Sequence, residues 1–206
     1  VDGGVDTHRR IIQILLSGVR VMLEGYLNTS NQLEFAVSRA DAVIVDWRTA
    51  ATFAADGTTW NHFATSVDCN AADKVAKLYI NGASDMVEVS DNGAATQIDF
   101  GAHDRTNIGA NNAGGTLFNG CLAELWIAPA QNVDFSVAAT LQKFRSSGGK
   151  PVDLGSDGST PTTIVPKFYQ SIRSGGVATD FATNRSGNGN FTITGTLDLG
   201  STSPSD

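Results

Sequence analysis

The chain has 206 residues, with 14 Lys and Arg against 21 Asp and Glu, for a formal net charge of −7 at pH 7; that length bounds it to one domain, or one domain and a short extension. A polyanion repels phosphate backbones and acidic membranes, because binding either depends on clustered Lys and Arg releasing counterions, so nucleic acid is not an expected partner. A hydrophobic fraction of 41 % with 22 Gly and 17 % charged residues excludes a disordered or fibrous chain and leaves room for a core.

Along the chain the dominant period is two, and turn dipeptides recur at short intervals, the pattern of packed antiparallel strands. Ile11 to Leu16 and Val19 to Leu23 flank Ser17-Gly18, a connection short enough for a hairpin. Gln32 to Ser38 and Ala42 to Trp47 follow as strands, then the connector Arg48 to Thr59. Trp60 to Asp68 alternates, with Phe63, Thr65 and Val67 on one face and His62, Ala64 and Ser66 on the other. Val75 to Ile80 runs into Asn81-Gly82, a strong hairpin signal because both residues accept the positive φ of a type I′ turn, and its expected partner is Asp85 to Val89.

Gln97 to Phe100 and Arg105 to Ala110 read as short strands, and Phe118 to Ile127 as a longer one that Pro129 ends. Over Phe135 to Ser147 the period changes: Val137, Leu141 and Phe144 share a helical face, Asp134 or Ser136 can cap the start, and Gly148-Gly149 can stop it. Gly, Ser, Pro, Asp and Thr dominate Gly148 to Thr163, which reads as a loop or linker. Beyond it, Ile164 to Ile172, Val177 to Ala182 and Asn190 to Leu199 are strand candidates, followed by the polar tail Gly200 to Asp206. No apolar run is long enough to span a bilayer, and no membrane insertion is expected. The opening Val1-Asp2-Gly3-Gly4 reads as a start inside a longer polypeptide. Cys69 and Cys121 form no CxxC and have no His at ligand spacing, so they read as structural thiols rather than zinc ligands.

Three segments in order carry a resemblance: Trp60-Asn61-His62-Phe63-Ala64-Thr65-Ser66-Val67-Asp68, Lys77-Leu78-Tyr79-Ile80-Asn81-Gly82, and Ile108-Gly109-Ala110 leading to Phe118-Asn119-Gly120-Cys121-Leu122-Ala123-Glu124-Leu125-Trp126-Ile127. Their order and spacing resemble the laminin G-like domains of the concanavalin A-like lectin/glucanase superfamily. The resemblance implies an all-β jelly-roll sandwich of two antiparallel sheets with one short helix after the closing strand. It divides the chain into a domain over 1–147 that lacks its first strand or strands, a linker over 148–163 and a C-terminal β extension with a polar tail over 164–206. Many relatives carry Asp where this chain has Ala123, which removes a carboxylate they can use. The segments Phe181-Ala182-Thr183-Asn184, Gly187 to Asn190, Phe191 to Gly195 and Ser201 to Pro204 resemble in texture the tails that follow such domains in bacteriophage virion proteins.

Glucanases of this superfamily carry paired carboxylates on one strand, and no such string occurs here. The nearest cluster, Asp85, Glu88 and Asp91, has a spacing that divides it between two faces of a strand and reads as a solvated hairpin. His8, His62 and His103 fall in no catalytic motif. Catalytic residues are therefore expected to be none, and the chain not an enzyme. Calcium, common among relatives, would draw on Asp68, Asp99, Asp104 and Asn107, but acidic strand ends usually face water, so no metal and no cofactor is expected. Of the aromatics able to stack on a sugar, Trp47, Trp60, Trp126, Tyr79 and Tyr169, most are expected in the core, so ligand-binding residues stay unassigned. Asn111-Asn112-Ala113-Gly114-Gly115 is a rim-loop candidate, and sequons start at Asn28, Asn184 and Asn190. The expectation is a structural or adhesive protein on the surface of a phage particle, on a tail, fibre or head appendage. It would contact other virion proteins, possess a homo-oligomeric or larger assembly, and touch host glycan. The alternatives are a soluble calcium-dependent lectin and a glucanase-like hydrolase.

Overall fold

The computed structural model describes residues 8–16, 20–39, 42–53, 59–70, 74–92, 98–100, 103–129, 131–173, 175–200 and 204. Contacts gather the chain into two compact units, Val1–Asp56 with Phe63–Gly120, and Gly57–His62 with Cys121–Asp206.

In the first unit, β1 (Arg9–Leu16), β2 (Arg20–Leu27), β3 (Leu33–Arg39) and β4 (Ala42–Arg48) form consecutive antiparallel pairs. With β8 (Val87–Asp91) and β9 (Arg105–Ile108) they make a six-stranded sheet in the order β8-β4-β3-β2-β1-β9. A second sheet, β5-β6-β7, contains β5 (Phe63–Asp68), β6 (Val75–Ile80) and β7 (Ala83–Ser84). The inner face of the large sheet presents Leu33, Phe35, Val37, Val45 and Trp47, all buried. Phe35 meets Phe63 at 6.1 Å between ring centroids, and the Trp47 indole Nε1 donates to Thr65 Oγ1 at 2.8 Å, which ties the two sheets face to face. This is the antiparallel sandwich expected from the period-two pattern.

Asn81 and Gly82 adopt φ of 52° and 90° and turn β6 into β7, as the dipeptide requires. The return strand differs from expectation. Only Ala83–Ser84 pairs with β6, and Val87–Asp91 crosses to the other sheet to pair with β4. Pairing across sheets is a nonlocal choice that a hairpin signal does not encode. The strand expected from Trp60 begins only at Phe63, and of its six residues Ala64 alone is buried, the others being half-buried. Ile98 to Phe100 is not a strand, and Gln97 lies outside the described residues, as does the turn Ser17 to Val19.

The second unit holds β10 (Glu124–Ile127) paired antiparallel with β11 (Phe168–Ser171), and α1 (Ala138–Leu141). The expected long strand from Phe118 shrinks to Glu124–Ile127, because the Phe118 N–H is spent on the Gly109 carbonyl. Of the expected helical face, Leu141 and Phe144 are buried, whereas Val137 is 48 % exposed. The helix is shorter than its period suggested: Asp134 Oδ1 accepts from the Ser136 N–H and hydroxyl and forms a turn ahead of it, and Val137 at its start offers no capping side chain. The stretch read as linker is packed: Leu154 is fully buried, and the Trp126 indole donates to the Gly158 carbonyl at 2.9 Å. Val177 to Ala182, expected as a strand, is a 3-10 turn over Ala178–Ala182, fixed by the Val177 N–H bonding Asp180 Oδ2 at 3.0 Å. Asn190 to Leu199 is irregular.

Candidate functional site

The outer face of the six-stranded sheet follows from strand register. Asn107, Gln13, Glu24, Ala36, Asp46 and Ser90 form one row across all six strands. Arg10, Tyr26, Glu34 and Arg48 form the next, because residues two apart on a strand share a face and, on β1, the register shift between Arg10 and Ile12 brings Arg10 into that row. The same strands that line the core with alternate residues therefore raise a charged grid on the opposite side.

Much of the grid is paired. Arg10 Nη1 donates to Glu24 Oε2 at 2.5 Å, and its guanidinium lies 4.6 Å from the centroid of the Tyr26 ring. His8 stacks on the same ring at 4.6 Å. Tyr26 donates its hydroxyl to Glu34 Oε1 at 2.5 Å, and Asn28 Nδ2 donates to Glu34 Oε2 at 2.9 Å. Burial and the Glu34 carboxylate push the Tyr26 hydroxyl well above the usual tyrosine range, so it stays a donor. The β4 end is less complete. Asp46 Oδ2 accepts from the Ser90 hydroxyl at 3.2 Å, while Asp46 Oδ1 and Arg48 Nε are buried with no hydrogen-bond partner, as is Nδ2 of Asn107 at the other end of the row. Burial raises the Asp46 carboxyl above the usual carboxylate range, opposed by the Ser90 bond and reinforced by Glu34.

The rim-loop candidate does join this face. The Asn112 N–H donates to Gln13 Oε1 at 2.9 Å, Arg105 Nη1 donates to Asn112 Oδ1 at 2.5 Å, and Asn111 Oδ1 accepts from the Ala113 and Gly115 N–H groups. The other candidates scatter. Asp85 accepts from the Ala50 and Ala51 N–H groups, Asp91 bonds the buried Lys74 ammonium at 3.0 Å, and Glu88 sits opposite Trp47 in the ladder. Of the calcium candidates, Asp68 Oδ1 accepts from the Asn70 N–H and Asp99 and Asp104 are exposed elsewhere. Among the described residues no three His, Cys, Asp or Glu side chains gather as a metal site.

Trp47 and Tyr169 are fully buried, Trp126 stands edge-on to Phe144 at 5.0 Å, and Trp60 and Tyr79 are half-buried. His103 Nδ1 lies 2.9 Å from the Phe100 carbonyl, and burial, with the Arg145 charge, pushes His62 down to about 4. Both cysteines are free thiols, Cys69 half-buried and Cys121 exposed. Asn28 and Asn184 are buried, while Asn190 is exposed and accepts from the Asn184 N–H. In the second unit, Tyr169 donates its hydroxyl to Glu124 Oε1 at 2.8 Å; burial raises the Glu124 carboxyl and lifts Tyr169 to about 12.

Glu24, Glu34, Asp46 and Arg48 were not among the sequence candidates. Their signal was a charged residue interrupting each of three consecutive apolar runs, which only strand register brings onto one face.

Residues 5–134 match a family model described as the concanavalin A-like lectin/glucanases superfamily. No curated protein and no solved structure matches the chain.

Proposed function

Because the chain belongs to the concanavalin A-like lectin/glucanase superfamily, we propose that this lectin-like module is a non-enzymatic structural and adhesive component of a bacteriophage particle, displayed on the virion surface. It works without a resident metal or cofactor, holds other virion proteins in assembly contacts, and touches host-surface glycan through the outer face of its large sheet. The observation that supports glycan recognition is the adjacent pair of unmet groups on β4. Asp46 Oδ1 is an acceptor and Arg48 Nε a donor, each buried and without a partner; a sugar hydroxyl, which donates and accepts at once, would satisfy both where side-chain movement on this face admits it. The particle setting rests on the texture of the C-terminal segment described above.

The test is a glycan array read with the wild-type chain and with Arg48→Ala, alongside light scattering and thermal melts in calcium and in EDTA. Binding that Arg48→Ala abolishes, with mass and melting temperature indifferent to EDTA, supports the reading. A monomer whose melting temperature falls on chelation favours the calcium-dependent lectin instead. One observation favours the hydrolase reading as a second: Glu24 and Asp46 lie in the same row on either side of Ala36. Two interstrand steps put their backbones about 10 Å apart, within the range from which two carboxylates can flank a glycosidic bond. Turnover of a β-glucan that Asp46→Asn removes would establish that alternative.

A further inference from the structure

The dipeptide Asn-Gly occurs four times, beginning at Asn81, Asn92, Asn119 and Asn188. Of all asparagine dipeptides it closes on itself most readily, because glycine has no Cβ to shield its amide nitrogen from the side-chain carbonyl carbon of the residue before it. In an unfolded chain the four would react alike. The fold treats them differently.

Three of them are held. Asn81 is fixed at φ 52° in the turn whose ends Ile80 and Ala83 pair, so the Gly82 nitrogen reaches its side chain only when the hairpin opens. Asn92 donates its N–H to the Ile44 carbonyl at 3.0 Å and its carboxamide to the Val43 carbonyl. Asn188 donates its carboxamide to the Lys167 carbonyl and to Ser186 Oγ, both at 3.2 Å.

Asn119 is not held. Phe118 spends its N–H on the Gly109 carbonyl, and from there to β10 no main-chain hydrogen bond is made among the described residues. Asn119 and Gly120 are both exposed, and neither the Asn119 carboxamide nor the Gly120 N–H has a partner among the described residues. Packing also keeps glycine at the second position, since a Cβ on Gly120 would stand 2.7 Å from the Phe118 ring. The residue that makes Asn119 reactive is therefore one that a neighbouring side chain requires.

We propose that Asn119 is a site of self-modification, at which the exposed carboxamide becomes a carboxylate without an enzyme, with water as the co-reactant. The Gly120 nitrogen, having given its proton to hydroxide, attacks Cγ of Asn119. The N–Cγ bond forms, the Cγ–Nδ2 bond breaks, and ammonia leaves with a proton from water. Water then opens the five-membered imide. Addition at Cγ leaves an aspartate side chain, whereas addition at the main-chain carbonyl leaves isoaspartate, whose peptide bond runs through Cβ. In sum one water enters and one ammonia leaves, and nothing is oxidised or reduced. The product adds a negative charge to an already acidic chain, and its isoaspartate form lengthens the main chain by one methylene at the last two residues of the first compact unit. No glycan or particle contact enters this chemistry.

The test incubates the full chain at mildly alkaline pH, folded and in guanidinium chloride, and follows the four sites by peptide mapping with mass spectrometry. In denaturant all four should convert at comparable rates. In the folded chain Asn119 should keep its unfolded rate to within about threefold, while Asn81, Asn92 and Asn188 slow at least tenfold. Both aspartate and isoaspartate should be found at position 119. Asn119→Gln, a change at an exposed side chain, should abolish the early acidic species on anion exchange and leave melting unchanged. Protection of Asn119 in the folded chain to the same degree as the other three overturns the proposal, as does an early acidic species that persists in Asn119→Gln.

Discussion

β11 and β5 are both outermost strands, yet their outer backbones are treated in opposite ways. Along β11, the groups that a neighbouring strand would have bonded are met by side chains and one backbone N–H from residues 184–188. Along β5, register directs the corresponding groups of Phe63, Thr65 and Val67 away from β6, and no side-chain seal of the kind on β11 is seen within its own unit among the described residues. Sealing an edge without a strand takes short polar side chains at close spacing, which explains why Asn184 to Asn190 is so rich in Asn, Ser and Gly. A segment whose composition reads as loop is in this case a substitute for a strand.

The largest expected effect breaks the sealed edge. Asn184→Ala strips the partners from the Tyr169 N–H and part of those from the Lys167 carbonyl at a site 3 % exposed, and should cost about 3 kcal/mol in urea denaturation, with a new tendency to aggregate. Next is acid. His62, immediately ahead of β5, is held neutral with its pKa near 4 against 6.5 for the unfolded chain. The unfolded state therefore binds the extra proton between those values, and stability falls as pH drops from 6.5 towards 4. The loss should be at most about 3 kcal/mol, and a His62→Gln chain should lack that portion of the pH dependence in denaturant titrations.

Trp47→Phe removes the indole bond to Thr65 and with it one tie between β5 and the large sheet. We expect a loss of about 1.5 kcal/mol and faster exchange along β5, which would sharpen the contrast with β11. The smallest effect has the opposite sign. Burial disfavours the Asp46 carboxylate, a half-buried group, so Asp46→Asn should stabilise the chain at neutral pH by a few tenths of a kcal/mol while lowering glycan binding. Loss of stability together with loss of binding would instead place Asp46 in the framework.

Local features were legible in the sequence. Asn81-Gly82 announced its turn because few dipeptides tolerate two positive φ angles in succession, and β1 to β4 and β6 were visible as alternating or continuous apolar runs. What the sequence did not carry was partnership. Val87–Asp91 follows a hairpin closely but leaves for the other sheet, and Val177 to Ala182 has strand-like residues that an Asp180 side chain folds into a 3-10 turn. The charged grid was hidden for the same reason, since Glu24, Glu34 and Asp46 have no shared spacing and meet only through register. The cysteine, histidine and calcium candidates were chosen by residue type, and residue type alone did not bring them together.

Gly158 has φ of 81°, its carbonyl receives the Trp126 indole, and a Cβ at that position would stand 2.8 Å from the Tyr169 ring. A stretch of Gly, Ser, Asp and Thr is where a protein engineer would ordinarily insert an affinity tag and where a protease would be expected to cut first. In this chain Asp153 to Thr163 should resist the protease and reject the tag, because Gly158 lets the backbone lie against the Tyr169 ring and Gly155 lets it close on the Thr160 side chain.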